Sequence, residues 1–182
     1  MISGPSEDEL LLQKFASEHT REAAFSELLN KYSQKVYAHV RRIVINHDDA
    51  DDVVQNTFIK VWQYLHEFRN NSQLYTWIYR IATNEAIQFL NKKRTRFMLP
   101  LVDVEAELSR NLSHDTYFDG DKALLKLQQA ILTLPEKQRL VFNMKYFDNM
   151  KYEDMSEILG TSVGALKASY HHAVKKLEKF LG

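Results

Sequence analysis

Between Leu134 and Leu181 apolar residues recur three and four positions apart, and the recurrence is broken where turns are cheapest. After Pro135, Leu140, Val141, Met144 and Phe147 keep helical spacing until Asp148-Asn149 ends the run. Tyr152, Met155, Ile158 and Leu159 mark a short second helix. Gly160 follows, the residue type that enters a left-handed turn at least steric cost. Thr161 or Ser162 can then cap a third helix by accepting from its unpaired N–H groups. The apolar stripe of that helix is Val163, Leu166, Tyr170, Ala173, Val174, Leu177 and Leu181. Its period is helical, so the stripe packs on the two helices before it and the last two form a helix-turn-helix.

The opposite face of the last helix carries Gly164, Ala168, His171, His172, Lys175, Lys176 and Lys179. Small residues come first and cations later. A helix lying in a DNA major groove needs close approach at its start and phosphate neutralisation along its length. The same lysines would complement the helix dipole in a plain three-helix bundle, so both readings stand on this stretch alone.

Upstream, five Gly and three Pro in 182 residues, with no alternating strand pattern, predict an all-α chain. Formal net charge is zero, so a nucleic-acid partner must be argued from local charge. Cysteine is absent, which excludes disulfides, thiolate catalysis and Cys-based zinc sites. Met1–Leu10 is polar and acidic, unlike a signal peptide, and no apolar run reaches membrane-spanning length, so a cytoplasmic protein without membrane insertion is expected.

Helices are predicted over Glu7–Ser17 and over about Arg21–Val44, with Thr20 as a cap and Asn46-His47-Asp48 as the stop. The next helix begins in Asp48-Asp49-Ala50-Asp51-Asp52. Its carboxylates suit a helix start, could form an acidic docking face, and diverge too much around the axis for an easy metal site. Val54, Phe58, Val61, Trp62 and Leu65 share its apolar face, whereas Asp52, Gln55 and Asn56 point away with Ile59 at the edge. Asn70-Asn71-Ser72 is a loop, and a helix runs from Gln73 to about Arg94. Its polar side sets Arg80, Lys92, Lys93, Arg94 and Arg96 against one acid, Glu85, with Tyr75, Trp77, Tyr79, Thr83 and Asn84 interleaved. That mixture suits an opened strand, stacked upon and held by its phosphates, and equally a solvated basic face over core aromatics. Phe97–Gly120 is acidic and aperiodic, a flexible linker with a helical turn around Val104–Leu108. Lys122–Leu132 opens the second unit.

Two stretches resemble one family. Asp51-Asp52-Val53-Val54-Gln55-Asn56-Thr57-Phe58-Ile59-Lys60-Val61-Trp62 is similar to the polymerase-docking helix of extracytoplasmic-function sigma factors, the small alternative sigma factors of bacterial RNA polymerase. Trp77-Ile78-Tyr79-Arg80-Ile81-Ala82-Thr83-Asn84 resembles their minus-10 helix. Leu134-Pro135-Glu136-Lys137-Gln138-Arg139, followed by Tyr152–Gly160, resembles their minus-35 domain. The ordered pair in so short a chain is specific, although each motif alone is common.

The resemblance implies two small helical domains, 1–97 and 121–182, joined by the acidic linker 98–120, the second a helix-turn-helix without a wing. It implies a non-catalytic protein, with no cofactor, metal or small-molecule substrate, that binds core RNA polymerase and both double-stranded and melted promoter DNA. It also implies an anti-sigma factor as partner. Asp51, Asp52, Gln55, Asn56 and Ile59 would meet polymerase. Asn70, Asn71, Trp77, Tyr79, Arg80, Asn84, Lys92, Lys93 and Arg94 would meet the minus-10 region, the loop Phe68–Gln73 capturing a flipped base. Lys167, Ala168, Ser169, His171, His172, Lys175 and Lys176 would meet the minus-35 duplex. Asn56 stands where many members have Glu, Gln88 where Asp is frequent, and Ser169 and His172 where many place Arg. Without Arg the usual bidentate guanine contact is missing, which shifts readout toward backbone and shape. The alternatives are a stand-alone helix-turn-helix regulator and a helical metalloenzyme. Adjacent His171 and His172 diverge by about 100° and share an ion poorly, which disfavours the enzyme.

Overall fold

The computed structural model describes residues 4–96, 108, 110, 112 and 122–182, most of them in eight α-helices. They are α1 (Glu7–Ala16), α2 (Arg21–Val44), α3 (His47–Tyr64), α4 (Leu74–Arg96), α5 (Lys122–Leu132), α6 (Glu136–Tyr146), α7 (Tyr152–Leu159) and α8 (Val163–Leu181). A single 3-10 turn, Leu65–Glu67, continues α3. No strand occurs among the described residues, so the expected all-α class holds.

Local chemistry sets the boundaries. Ser6 accepts from the Glu9 N–H while the Glu9 carboxylate accepts from the Ser6 N–H, a reciprocal cap that starts α1. Asn46 caps α3 by accepting from the Asp49 N–H. It therefore opens the next helix rather than ending the previous one, which stops at Val44. Between them Ile45 takes φ 65°, a left-handed conformation costly for a β-branched residue, and is fully buried. Thr20 does not cap α2: its hydroxyl donates back to the Lys14 carbonyl. Gly160 adopts φ 60° after α7, and of the two expected caps of α8 it is Ser162 that accepts from the Ala165 N–H.

The helices pack as α1 on α2, α2 on α3 and α4, and α3 on α4, with Leu28, Val36, Val40, Val61, Ile78 and Ala82 at the centre. In the C-terminal half α5 and α6 pack on α8, and Ala130, Ile131, Leu134, Phe142, Ala173 and Leu177 form a small core. The halves do not stand apart. α4 packs on α7 and α2 on α6, so Leu140, Val141, Met144, Met155, Ile158 and Leu166 belong to the same apolar cluster as Leu28 and Ile78. From the segment between them, Leu108 and Leu112 are helical and buried against Ile45 and Leu132, one residue from each half. Apart from residues 108, 110 and 112, the expected flexible linker, including most of the turn expected around Val104–Leu108, lies outside the described residues.

Candidate nucleic-acid interface

On α3 one exposed stripe collects Asp52, Gln55, Asn56 and Ile59, with Asp51 at its edge. Helical geometry puts positions four and seven apart on one side, which is why these residues line up. The acidic run does not act together: Asp49 turns inward to Lys93 at 3.0 Å, while Asp51 stays outside, 3.5 Å from His47. No three potential metal ligands converge among the described residues. The stripe ends in apolar surface, Ile59 being 48 % and Trp62 37 % exposed. Trp62, expected on the core face, lies at the border instead. Its ring packs edge-on against Phe15 at 5.5 Å and Phe25 at 5.0 Å and leaves its outer side in solvent. Tyr64 beside it is also exposed.

On α4 the open side holds Arg80, Asn84 and Gln88, with half-buried Trp77 at its upper end. Trp77 packs on Phe68 at 5.4 Å, and Asn70 takes a left-handed φ of 55° that turns the loop back toward the helix. Together these elements make a cleft of about 380 Å³ lined by Glu67, Phe68, Arg69, Asn71, Ser72, Trp77, Arg80 and, from α7, Glu157. Aromatic wall, amide and guanidinium suit an unstacked base and its phosphate.

Four residues expected on this face sit elsewhere. Tyr79 is 6 % exposed and packs on His39 at 4.8 Å, so it is a core residue; burial, then the Asp148 charge, pushes its phenol up. Lys93 is drawn to the α3 side by Asp49. Tyr75 and Thr83, interleaved with the cations in sequence, also turn away: Tyr75 donates to Asp154 of α7 and Thr83 to the Tyr79 carbonyl. Glu85 is paired with Lys60. Lys92 is exposed and Arg94 half-buried in the last turns of α4, where cations also complement the helix carbonyls.

On α8 the face expected to meet DNA is open. Lys167, Ala168, His171, His172, Lys175 and Lys176 are exposed. A side chain at Gly164 would meet nothing within 4 Å, which leaves the start of the helix accessible. Lys167 lies over the Tyr152 ring at 5.7 Å, and Lys145 lies 5.0 Å from the same ring. Lys176 donates to Gln138 at 3.1 Å. Ser169 is the exception. It is half-buried and lines, with Ala165, a groove of about 510 Å³ whose other wall includes Ile87 of α4.

Comparison with known proteins matches both halves. Residues 28–96 fit the Sigma-70 region 2 family model and residues 124–177 the Sigma-70 region 4 model. The ECF RNA polymerase sigma factor SigW of Bacillus subtilis is 31 % identical over 169 residues, 87 % of this chain and 89 % of that protein. The RNA polymerase sigma-H factor of Pseudomonas aeruginosa is 32 % identical over 174 residues, 87 % of this chain and 86 % of that one. Among solved structures, CnrH in complex with the cytosolic domain of CnrY superposes with a TM-score of 0.68 at 23 % identity, over 94 % of this chain and 95 % of the other. The sigma factor RpoE of Bartonella quintana, solved with the anti-sigma factor NepR, gives 0.65 at 23 % identity, over 86 % and 96 %. These two likenesses speak to the fold.

Proposed function

The chain belongs to the extracytoplasmic-function (ECF) family of RNA polymerase sigma factors, and from that premise we propose which of its surfaces does what. It is a sigma factor that directs promoter-specific transcription, with core RNA polymerase and promoter DNA as its partners. Its work is binding rather than catalysis, carried out in the cytoplasm beside polymerase; among the described residues no helix is long and apolar enough to cross a membrane.

Residues 1–97 dock polymerase and hold the minus-10 region, 98–120 connect, and 121–182 read minus-35. The exposed α3 stripe carries the docking assignment: Asp51 and Asp52 supply charge, Gln55 and Asn56 hydrogen bonds, and Ile59 with Trp62 an apolar end that fits a partner surface mixing basic and apolar groups. Arg80, Asn84 and the Phe68–Trp77 cleft take the opened strand, with Asn70 shaping the loop, Asn71 in the cleft wall and Lys92 and Arg94 on the phosphates. Lys167, His171, His172, Lys175 and Lys176 meet the minus-35 backbone and groove, and Ala168 allows close approach. By analogy with the RpoE–NepR complex, an anti-sigma factor is a further partner.

Purified chain is mixed with sigma-free core polymerase, tested for co-elution, then assayed for run-off transcripts on genomic fragments. Co-elution with discrete new start sites is expected. Asp52→Ala is expected to weaken retention on polymerase with helix content unchanged. Wild-type retention by that variant would remove the docking assignment. Absence of co-elution by the folded parent chain would move the function to a polymerase-independent regulator.

A further inference from the structure

Where α2 and α4 meet the turn before α7, the chain encloses a second cavity of about 340 Å³. Small-molecule sites occupy roughly 300–1,000 Å³, so this one has room for a small metabolite. None of its lining residues belongs to the α3 stripe, to the cleft at Arg80 or to the exposed face of α8.

The acids of this cavity are already engaged. Asp148 takes His39 Nδ1 at 2.8 Å and the Arg42 guanidinium. Asp154 accepts from Tyr75 and, at 3.4 Å, from Thr76. Tyr32 donates its hydroxyl to Asp8 at 2.9 Å. The remaining donors are not engaged. Tyr79 is 6 % exposed and lines the cavity, and its hydroxyl has no hydrogen-bond partner among the described residues. Burial, then the charge of Asp148, pushes that phenol up, so it keeps a proton to donate. A buried hydroxyl without a partner costs free energy, and a bound acceptor relieves that cost. Lys35 and Lys151 line the same cavity, exposed, and neither ammonium pairs with any described residue. The side-chain amides of Gln73 and Asn149 are equally unused.

Backbone donors add to this set. The cavity reaches the first turn of α7 through Lys151 and Asp154. Lys151 is the N-cap residue and its side chain makes no capping bond, so the first N–H groups of α7 lack their usual side-chain acceptor. A helix start of that kind attracts an anion, and two ammoniums beside it strengthen the attraction. Arg42 offsets Asp148 from behind, which leaves Asp154 as the one carboxylate facing two lysines. Tyr79 is the buried floor and the lysines are the exposed rim. Between them the Tyr32 and Tyr75 rings and Met150 form walls, with the two free amides beside them. Such walls suit a flat heterocycle that carries both donors and acceptors.

We propose that this cavity binds a nucleoside monophosphate, its phosphate held at the rim by Lys35, Lys151 and the start of α7, and an acceptor of its base taking the Tyr79 hydroxyl at the floor.

Calorimetric titration of the full chain at low salt, with AMP, GMP, CMP and UMP, tests this against the matching nucleosides and inorganic phosphate. At least one monophosphate is expected to bind at one per chain and to raise the melting temperature, its nucleoside and inorganic phosphate each binding more weakly. Tyr79→Phe removes only the hydroxyl and is expected to weaken that monophosphate roughly fivefold while leaving inorganic phosphate unchanged. Without ligand, the same variant is expected to melt no lower than the parent, since the hydroxyl it lacks had no partner. Lys35→Gln plus Lys151→Gln, at exposed positions that fold safely, is expected to weaken monophosphate and phosphate alike by about tenfold and to flatten the salt dependence. No saturable heat with any of the four monophosphates overturns the proposal, the cavity then holding only water. Binding lost in Arg80→Ala but kept in both cavity variants also overturns it, because the ligand then sits in the minus-10 cleft. Loss with the lysine pair but not with Tyr79→Phe reduces the site to surface lysines and overturns it as well.

Discussion

Gly160 and Gly164 stand four positions apart and make opposite demands on a side chain. Gly160 sits at φ 60°, where a β-carbon strains the backbone although the space around it is empty. Gly164 is in the first turn of α8, also with empty space beside it, but with no backbone reason to be glycine. Gly160→Ala is expected to lower stability by about 1–2 kcal/mol in urea unfolding. Gly164→Ala is expected to raise it by roughly 0.5–1 kcal/mol, because alanine restricts the unfolded chain and favours helix. If the helix start approaches DNA closely, the same Gly164→Ala protein will bind promoter DNA more weakly while melting later. That opposition separates a glycine kept for a turn from one kept for a partner. Ile45 is the converse case, a branched side chain in a conformation that suits glycine, held there by complete burial.

Helices were legible wherever one buried face met one solvent face. α2 and α8 fit that description, and their limits and apolar stripes follow from periodicity and from Gly160 and Ser162. α4 does not. It is covered by α2, α3 and α7, so little of its circumference is open. Reading a two-faced pattern onto it put Tyr79 and Thr83 outside, whereas the cover that buries them comes from packing partners distant in sequence. His39 and Asp148 are 109 positions apart, and nothing local marks them as a pair. The Asp48–Asp52 run misleads for a related reason: Asp49 has a long-range partner in Lys93 and its neighbours do not share it. The candidate docking stripe is readable because solvent exposure is the default state of polar residues on a helix, and only Trp62, expected within the core face, lies at its border. At this scale α8 also makes a measurable claim. Lys175→Ala with Lys176→Ala is expected to reduce the salt slope of promoter binding by about two, one unit for each phosphate no longer neutralised. An unchanged slope would mean that these lysines serve the helix, through its dipole and the Gln138 hydrogen bond, rather than the DNA.

At the scale of the molecule, the seam between the two halves holds phenols as well as carboxylates. Burial, then the bond to Asp154, pushes Tyr75 above its ordinary value of 10.0; burial, then the charge of Asp148, does the same to Tyr79. A raised folded-state value means that the folded chain keeps protons the unfolded chain has released. The stabilisation is complete below pH 10 and is lost as pH climbs from there through the higher folded values. Melting temperature is therefore expected to fall above pH 10, more steeply for the parent than for Tyr75→Phe, which has one fewer shifted phenol. Parallel curves would show that Tyr75 ionises as it does in water.

The common core reaches from Leu28 to Leu166 and ties two recognition units into one packed body. Chimeras expose what that means. A C-terminal half transplanted from a relative brings its own helix-turn-helix, but it meets His39, Arg42 and Tyr75 with whatever side chains it happens to carry. The helix-turn-helix can be exchanged as a cassette, whereas the fit between the halves must be re-evolved across the seam. Hybrids are thus expected to unfold at lower urea than either parent.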